Sequence, residues 1–317
     1  DWLSVKTNFG LDFMYNRNVS TLHRDHPNAQ QNHGYYGQTS SELFRYTWTN
    51  TINVNKDFAN GHSLNAVAGM EMFQGKWYTS NFTGYDLNSD MMQSPAGIGD
   101  KSGSSLFPPS IGGGRTMSNL MSFFAQASYS IANKYNFSAS LRHDTSSKFY
   151  EDNASATFWS VGASWLISTE SWFDNAKWLN QLKLRASYGT TGNQDGVSDF
   201  GTFDGYYNSS YNGESGYSHG QLGNSELRWE TSAQTNVGLD VSVLDSRVNV
   251  TFDFYNIKTK DLYMSKNISM TSGFSSILAN AGSIVNRGVE LGVNTTPVKT
   301  QNFQWDLGFN LSLIHIS

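Results

Sequence analysis

Long runs of strict alternation between apolar and polar residues constrain the fold of this chain more than any other feature. The clearest runs follow one another between residues 133 and 193, at Tyr135 to Arg142, Trp159 to Ile167 and Leu182 to Gly189. A period of two places successive side chains on opposite faces of a β-strand. Each strand therefore has one apolar and one polar face, and needs apolar surroundings on one side and water or polar filling on the other.

The alternation recurs along the whole chain and predicts about eleven strands, many of them longer than the ~5–6 residues usual in soluble sheets. The charged residues inside the predicted strands share one property, which is that all of them fall in the polar column. They are Lys6, Asp12, Arg45, Glu71, Arg142, Arg185, Asp240, Asp253, Glu290 and Asp306. The sequence therefore predicts an all-β fold with charges on one face of its sheet.

The connections between predicted strands alternate long and short, as in transmembrane barrels with long extracellular loops and short periplasmic turns. The long connections are 17–41, 83–115, 145–155, 193–226 and 263–277, and the short ones are 56–61, 131–134, 169–181, 245–246 and 297–301. The turn at 169–181 has room for one helical turn. Aromatic residues near the strand ends are expected to form belts at the two membrane interfaces. From the pattern alone, a soluble β-sandwich, propeller or β-helix remains the alternative.

Composition excludes several classes of function. The net charge is −5 and no Lys/Arg cluster occurs, which argues against a nucleic-acid partner. The chain has no Cys, so it has neither a disulfide framework nor a thiolate metal site. No apolar run approaches the ~18 residues of a membrane helix. The chain opens on Asp1 and closes just after a strand signal, and we expect it to be a piece of a longer protein.

Candidate chemical sites are few, and each has a simpler interpretation. His23, Asp25 and His26 are residue types that bind metals, but nothing nearby completes a site, and a solvated loop is the preferred interpretation. The glycines at 112–114 lack the Lys-Ser/Thr pair of a phosphate loop and are interpreted as flexible loop. The charges at Arg142 with Asp144, and at Lys183 with Arg185, are expected to be paired structural groups on the polar face. We therefore expect neither catalysis, nor a metal, nor a cofactor.

The best candidate for ligand contact is the loop 199–221, in which tyrosines alternate with Asn, Ser and Gly. Aromatic rings beside amides and hydroxyls suit sugar rings and equally suit protein partners. The candidate substrate-binding residues are Tyr206, Tyr207, Tyr211 and Tyr217, with Trp77 and Tyr78 as an extension of the same platform. Packing of these rings within a folded loop or at the lipid interface is an alternative of equal weight.

Several motifs, in a fixed order, resemble the late barrel of TonB-dependent outer-membrane transporters of the SusC/RagA type. They are SLRHDTSSKF, FWSVGASWLISTESWF, LKLRASYGTTGNQ, ELRWETSAQTNVGLD, FDFYNIKTKDLYM and NAGSIVNRGVELGVN, and the resemblance runs from about Ser118 to Asn310. It implies a partial transmembrane antiparallel β-barrel of about 11 of 22 strands, with the plug domain outside this chain. Residues 1–317 would all belong to that one barrel domain. Alone, such a half-barrel would have two open edges and is expected to aggregate.

The resemblance also implies a function in the outer membrane of a Gram-negative cell. Members of this family import large nutrients, chiefly oligosaccharides and also peptides, using the TonB complex, which contacts a segment upstream of the barrel. A SusD-like surface lipoprotein covers the barrel and helps to capture the ligand. The alternative from a different class is a non-transporting β-rich surface protein, either an adhesin or a carbohydrate-binding protein. The resemblance identifies neither the ligand nor any binding residue.

Overall fold

The computed structural model describes residues 2–29, 31–89, 94–99, 109–176 and 178–317. Within these residues the regular structure consists of β-strands and short 3-10 turns. The strands are β1 (Leu3–Leu22), β2 (Tyr35–Phe58), β3 (His62–Tyr85), β4 (Ser110–Ile131), β5 (Tyr135–Ser146), β6 (Ser155–Leu166), β7 (Leu179–Asn193), β8 (Gly205–Tyr211), β9 (Glu214–Gln221), β10 (Glu230–Val243), β11 (Val248–Lys260), β12 (Tyr263–Asn267), β13 (Ser276–Asn280), β14 (Ser283–Lys299) and β15 (Gln304–Ile316). In the described ranges, no helix is both long and apolar enough to cross a membrane.

Eleven of these strands form one antiparallel sheet, in the order β1-β2-β3-β4-β5-β6-β7-β10-β11-β14-β15. The other four form two separate hairpins, β8–β9 and β12–β13, which lie within long connections of the large sheet. Apart from the two hairpins, strands that follow one another along the chain are also neighbours in the sheet. The chain therefore runs up and down across the sheet. The prediction of about eleven alternating strands in one all-β sheet is confirmed.

The connections follow the predicted rhythm of long and short. Residues 132–134, 244–247 and 300–303 are short turns, whereas 194–229 and 261–282 are long and contain the two hairpins. The connection at 167–178 holds two 3-10 turns, Ile167–Thr169 and Ser171–Phe173, which agrees with the expected helical turn. We call the end of the sheet with the long connections the long-loop end, and the opposite end the short-turn end.

Some predicted boundaries were wrong, because hydrophobic alternation ends before the strand does. β1 and β2 extend well into the predicted loop 17–41 through polar residues, and Arg17 Nη2 donates to Gln38 Oε1 at 2.8 Å there. Gly112 to Gly114 were expected to be flexible loop but lie inside β4. Part of the predicted loop 83–115, namely 90–93 and 100–108, lies outside the described residues.

The turn predicted at 297–301 lies later in the chain, at 300–303. Pro297 lies within β14, where the pairing with β15 shifts register between Thr295 and Val298. Proline has no backbone N–H to donate to the ladder, so it is tolerated in strands at such irregularities. Pro297, which was predicted to begin a turn, therefore marks a bulge, and β14 continues past it to Lys299.

Two compact units can be distinguished by contact density. The first comprises Asp1–Thr7, Thr49–Glu71 and Leu120–Ser317, and the second Asn8–Trp48 and Met72–Asn119. In the second unit, Tyr36 and Leu87 are buried, and Arg24 Nη1 donates to the carbonyl oxygens of Leu87 and Asn88 at 3.3 and 3.1 Å. The two arginine networks and the long-loop hairpins considered below belong to the first unit.

The distribution of exposed side chains in the first unit is the reverse of that in a water-soluble protein. Phe137 and Leu141 on β5, and Trp159 and Val161 on β6, are each between 43% and 53% exposed. On the opposite face, the hydroxyl-bearing Ser122 is fully buried. A contiguous exposed apolar face of this extent is typical of a surface that faces lipid.

Candidate functional site

Arg142 on β5 organises one ionic network on the polar face. Its Nε donates to Asp144 Oδ1 at 2.7 Å, and its Nη2 donates to Glu71 Oε1 at 3.1 Å and to Ser122 Oγ at 2.8 Å. The guanidinium carbon also lies 5.7 Å from the ring centroid of Phe124. The expected structural pairing of Arg142 with Asp144 is present, and it extends to Glu71 on β3.

Arg185 on β7 forms a second network, with partners that differ from those expected. It donates from Nε and Nη2 to both carboxylate oxygens of Asp240 on β10, each at 2.9 Å, and from Nη2 to Asp253 on β11 at 3.0 Å. A Cβ at Gly238 would collide with this arginine and with Asp253. The sequence placed Lys183 beside Arg185, but the acids that pair with Arg185 come from the next two strands of the sheet.

A polar cavity of about 470 Å³ lies against this face of the sheet. Small hydroxyl and amide side chains line much of it, including Ser63, Ser128, Ser138 and Asn236, and Arg185 lies at its wall. Such a lining offers hydrogen-bond donors and acceptors in a wide, shallow space. Its chemistry is that of a polar passage or contact surface.

The long connections of the first unit are packed together by a small aromatic core. Phe149, Phe158 and Trp229 meet at ring-centroid distances of 5.2 and 5.8 Å, with Val197 and Leu227 completing the buried cluster. Sequence reasoning did not identify this core, because its members come from separate segments and Phe158 stands in the polar column of its strand. This core holds the long connections of the first unit in place at the long-loop end.

Tyr263, the first residue of β12, packs against this core and connects three segments of the chain by hydrogen bonds. Its hydroxyl reaches the carbonyl oxygens of Asn193 at 3.0 Å and Arg228 at 2.9 Å, and it accepts from the Glu230 N–H at 3.2 Å. Burial raises the pKa of Tyr263 to about 12. Asn280 Nδ2 donates to the Arg228 and Asp261 carbonyls at 2.8 and 2.7 Å. The hairpin β12–β13 is thereby fixed to the segment that leads into β10.

The Arg228 side chain adds an ion pair to this assembly. Its Nη2 donates to Asp261 Oδ1 at 2.7 Å, and this bond raises the pKa of the already basic Arg228. The arginine is mostly exposed, so the pair contributes orientation more than stability. It holds the β11–β12 connection, which contains Asp261, against the end of the β9–β10 connection, which contains Arg228.

The four candidate tyrosines of loop 199–221 lie on the hairpin β8–β9. Tyr206, Tyr207, Tyr211 and Tyr217 are 62%, 55%, 88% and 80% exposed. In the strand register Asn208 pairs with Tyr217, and Tyr211 pairs with Glu214. Paired residues share a face, so Tyr206 and Tyr217 lie on one face of the hairpin and Tyr207 and Tyr211 on the other. The structure thus brings the tyrosines together as two pairs and not as one platform.

Contacts hold two of these tyrosines in place. Tyr206 stacks on His219 with a centroid distance of 4.4 Å, and His219 in turn lies 5.6 Å from Phe274. The ring of Tyr207 lies over Gly220, where an added Cβ would stand 2.7 Å from its Cδ1, whereas Tyr211 and Tyr217, near the Asn212-Gly213 turn, are 88% and 80% exposed. Their high exposure leaves the rings of Tyr211 and Tyr217 available for contact with a ligand or a partner protein.

Trp77 and Tyr78, the remaining candidates, lie on β3 in the second unit. They are adjacent in the strand, so their side chains point to opposite faces, and they are 49% and 52% exposed. Trp77 Nε1 donates to Thr79 Oγ1 at 2.8 Å. At most one of the two can therefore belong to any single binding face.

A cleft that the sequence did not suggest lies at the long-loop end. It encloses about 590 Å³ and is lined by Tyr150 and Asp152 from the β5–β6 connection, by Glu226 and Arg228, and by Lys266 of β12. Both signs of charge, several amides and one half-exposed aromatic ring face the same space. This combination can hydrogen-bond a polar polymer and stack against part of it.

The His23–His26 segment shows local turn contacts. The backbone N–H of Asn28 donates to His26 Nδ1 at 3.1 Å, and that of Asp25 lies 3.4 Å from His23 Nδ1. Among the residues that the structure describes, no group of three His, Asp or Glu side chains could hold a metal ion. The two turn contacts agree with the interpretation of the segment as a loop.

Comparison with known proteins identifies the family. A family model described as TonB dependent receptor-like, beta-barrel, matches residues 1–315. The TonB-dependent receptor P39 of Formosa agariphila is 35% identical over 266 residues, which cover 83% of this chain and 25% of that protein. The TonB-dependent receptor SusC of Bacteroides thetaiotaomicron is 35% identical over 208 residues, covering 63% of this chain and 21% of SusC.

The fold comparison agrees. A solved structure of the RagAB peptide transporter superposes with a TM-score of 0.90 at 25% identity, covering 99% of this chain and 34% of that one. The chain spans about a quarter of the length of the curated relatives that it matches. The resemblance stated from the sequence motifs is confirmed, and the chain belongs to the TonB-dependent receptor-like β-barrel family.

Proposed function

We propose that this chain is part of the barrel of an outer-membrane importer for large nutrients, and that residues 1–317 all belong to that one barrel domain. The match of residues 1–315 to the receptor barrel family carries the proposal. The exposed apolar face is the surface for the bilayer, and the polar face with its two arginine networks lines the passage. This places the long-loop end outside the cell and the short-turn end in the periplasm. Since family members are transporters and receptors, the chain has no catalytic role.

The cargo we propose is an oligosaccharide. Exposed tyrosine rings on the β8–β9 hairpin suit stacking against sugar rings, and the nearby amides and hydroxyls suit hydroxyl groups. The chain is 35% identical over 208 residues to the TonB-dependent receptor SusC, which supports the receptor type in this proposal. Peptides are the second candidate, because the chain shares the fold of the RagAB peptide transporter with a TM-score of 0.90.

Energy and capture would come from partners. In this proposal a TonB complex drives transport through a segment outside this chain, and a SusD-like lipoprotein closes over the long-loop end. The mixed-charge cleft and the two tyrosine pairs then supply contacts to cargo or to that lipoprotein. Transport requires this energy source, whereas an adhesin or a carbohydrate-binding surface protein would not.

Uptake by cells that carry the full-length receptor tests the proposal. Labelled oligosaccharide and peptide mixtures are supplied with and without a protonophore that collapses the proton-motive force. We expect accumulation of oligosaccharide that the protonophore abolishes. Surface binding that the protonophore leaves unchanged, with no accumulation, would instead identify a non-transporting surface protein.

Replacing two tyrosines by alanine tests the hairpin. The double change Tyr211→Ala with Tyr217→Ala removes one exposed ring from each face of the hairpin and leaves the buried core unaltered. Each stacking contact is worth about 0.5–1.5 kcal/mol. We therefore expect roughly a tenfold loss of ligand affinity or of lipoprotein association. Met270→Ala, at an exposed position on the β12–β13 connection, is the control. Unchanged uptake and unchanged lipoprotein association in the double variant would remove the hairpin from the binding surface.

A further inference from the structure

The apolar column of the sheet changes its chemical character near the long-loop end of β11, β14 and β15. The last fully apolar row across these three strands consists of residues that lie opposite one another in the register, namely Phe254, Val289 and Leu313. Beyond that row the same face carries four basic residues, which are Lys258, Lys260, Arg287 and His315. We call these four residues the basic cluster.

The strand register brings the basic cluster together, although its members come from three separate strands. Arg287 lies directly opposite His315 on β15 and directly opposite Asn256 on β11. The Cβ atoms of such cross-strand pairs are about 4.5–5.5 Å apart, and the diagonal neighbour Lys258 is within about 8 Å. Lys260 follows on the same face of β11. All four side chains are exposed, so their basic ends can reach one common ligand.

No acidic side chain neutralises the basic cluster within the residues that the structure describes. Asp253 on β11 pairs with Arg185 on the polar face. Asp261, just beyond the end of β11, pairs with Arg228. Glu290 on β14 lies opposite Asp253, in the polar column. The four basic side chains form no ion pair or side-chain hydrogen bond with any of the described residues. Like charges on neighbouring strands repel each other, so a bound anion would stabilise this part of the sheet.

The basic cluster is local and does not continue across the sheet. The strands β5, β6, β7 and β10 are described along their whole length, and none of them has a Lys or Arg in the apolar column. Towards the long-loop end their columns contain hydroxyl groups, such as Thr157 on β6 and Thr190 on β7. His143 on β5 already has a partner there, since its Nδ1 lies 2.9 Å from Thr157 Oγ1. The concentration of unpaired basic groups on three strands therefore indicates a specific ligand.

Strand length places the basic cluster at the boundary of the bilayer. A transmembrane β-strand needs about 9–11 residues to cross the hydrocarbon core. Counted from Val248, at the short-turn end of β11, Asn256 is the ninth residue and Lys258 the eleventh. Arg287 and His315 lie in the same row as Asn256. The basic side chains therefore lie where the apolar interior ends and lipid headgroups begin, on the side that the proposed orientation puts outside the cell.

We propose that the basic cluster binds the phosphate group of a phosphorylated glycolipid in the outer leaflet. The planar guanidinium of Arg287 can donate two parallel hydrogen bonds to phosphate oxygens, and the two lysines add positive charge around them. The apolar row that contains Phe254 then lies against the acyl chains of the same lipid. Cations that border an apolar wall suit an anion that is joined to acyl chains. The site rests on the proposed function, because it requires the barrel to lie in an outer membrane, and it is independent of the cargo.

Binding of lipopolysaccharide to the full-length receptor tests the site. The receptor in detergent micelles is titrated with fluorescently labelled lipopolysaccharide, and separately with the same lipid after its lipid A phosphates have been removed. The test variant combines Lys258→Gln with Arg287→Gln. The control variant combines Lys299→Gln with Arg247→Gln, which removes one lysine and one arginine at the short-turn end. We expect binding of the phosphorylated lipid to be at least about tenfold weaker in the test variant and unchanged in the control variant.

Two further comparisons identify the ligand. Removal of the phosphates should weaken binding to the unaltered receptor to the level of the test variant. Excess inorganic phosphate should not displace the lipid, because it has no acyl chains to lie against the sheet. Heat-modifiable migration reports that each barrel is folded. Equal binding by the test and control variants, or equal binding of the two lipids, would overturn the site. Displacement by inorganic phosphate would show a site for a free anion and overturn the assignment to a lipid.

Import is measured separately, by the accumulation of cargo with and without the protonophore. A receptor that accumulates cargo but binds the two lipids equally would lose this site and keep its proposed function. A receptor that prefers the phosphorylated lipid but accumulates nothing would keep the site and lose the function as an importer.

Discussion

At the residue scale, alternation predicted which side chains share a face but not which of them pair. Arg185 is 55 residues from Asp240 and 68 residues from Asp253 along the chain. Register brings them together, since Gly238 lies opposite both Arg185 and Asp253. A shift of one residue in either pairing would move the acids to the apolar face. Register depends on the whole ladder of neighbouring pairs, so the local pattern could not give these partners.

Loss of Arg185 should destabilise the barrel measurably. Arg185→Ala leaves Asp240 and Asp253 facing each other without a cation, and we expect a loss of about 1–2 kcal/mol, reduced because the arginine is a third exposed. Urea unfolding of the detergent-solubilised full-length receptor measures it. Arg247→Ala, at an exposed arginine in the β10–β11 turn, is the control. Adding Asp240→Ala to Arg185→Ala should cost less than the sum of the single changes, and strict additivity would contradict the network.

At the element scale, the sequence contained one signal that was overlooked. Asn-Gly between two alternating runs is the strongest short-range indication of a hairpin, and Asn212-Gly213 adopts positive φ values of 51° and 84° between β8 and β9. The loop 199–221 was nevertheless expected to lack strands. The β12–β13 hairpin has no Asn-Gly pair in its connection, 268–275, and the aromatic core at Trp229 gives no local signal because segments distant in sequence form it.

The hydroxyl of the half-buried Tyr263 should control the order of the long-loop end. Tyr263→Phe leaves the Glu230 N–H without its acceptor, and we expect local opening to become easier by about 1–3 kcal/mol. Limited proteolysis within 194–229 would measure the change, with Tyr211→Phe, on a ring that is 88% exposed, as the control. Protection that is equal in both variants would show that the hydroxyl does not hold these segments together.

The raised pKa of Tyr263 adds a dependence on pH. A tyrosine whose pKa is about 12 in the fold and about 10 when unfolded stabilises the fold fully below pH 10, and that contribution is lost as the pH rises towards 12. Proteolytic protection of 194–229 should fall across this window in the unaltered receptor. The part of the fall that depends on Tyr263 should be absent in Tyr263→Phe, which has no phenol to ionise.

At the scale of the whole molecule, the exposure of the apolar residues indicates whether the sheet faces water or lipid. Alternation, charge placement and loop rhythm gave the sheet and its two faces from the sequence. They left a soluble sheet possible, because a pattern does not reveal whether the apolar face is covered. In the first unit it is open, with rings such as Phe137 and Phe252 at 49% and 43% exposure. The family match and this open face together identify a barrel wall.

A sheet in lipid needs every backbone donor and acceptor paired, so its edges must be closed. In the part of the chain that the structure describes, β1 and β15 stand at the two ends of the sheet order, and both are exposed along nearly their whole length. Residues 1–317 produced alone should therefore associate through these edges and aggregate. The full-length receptor should instead migrate faster on gels before heating than after it. A monomeric, detergent-free soluble form of residues 1–317 would contradict both the lipid-facing surface and the need for closure.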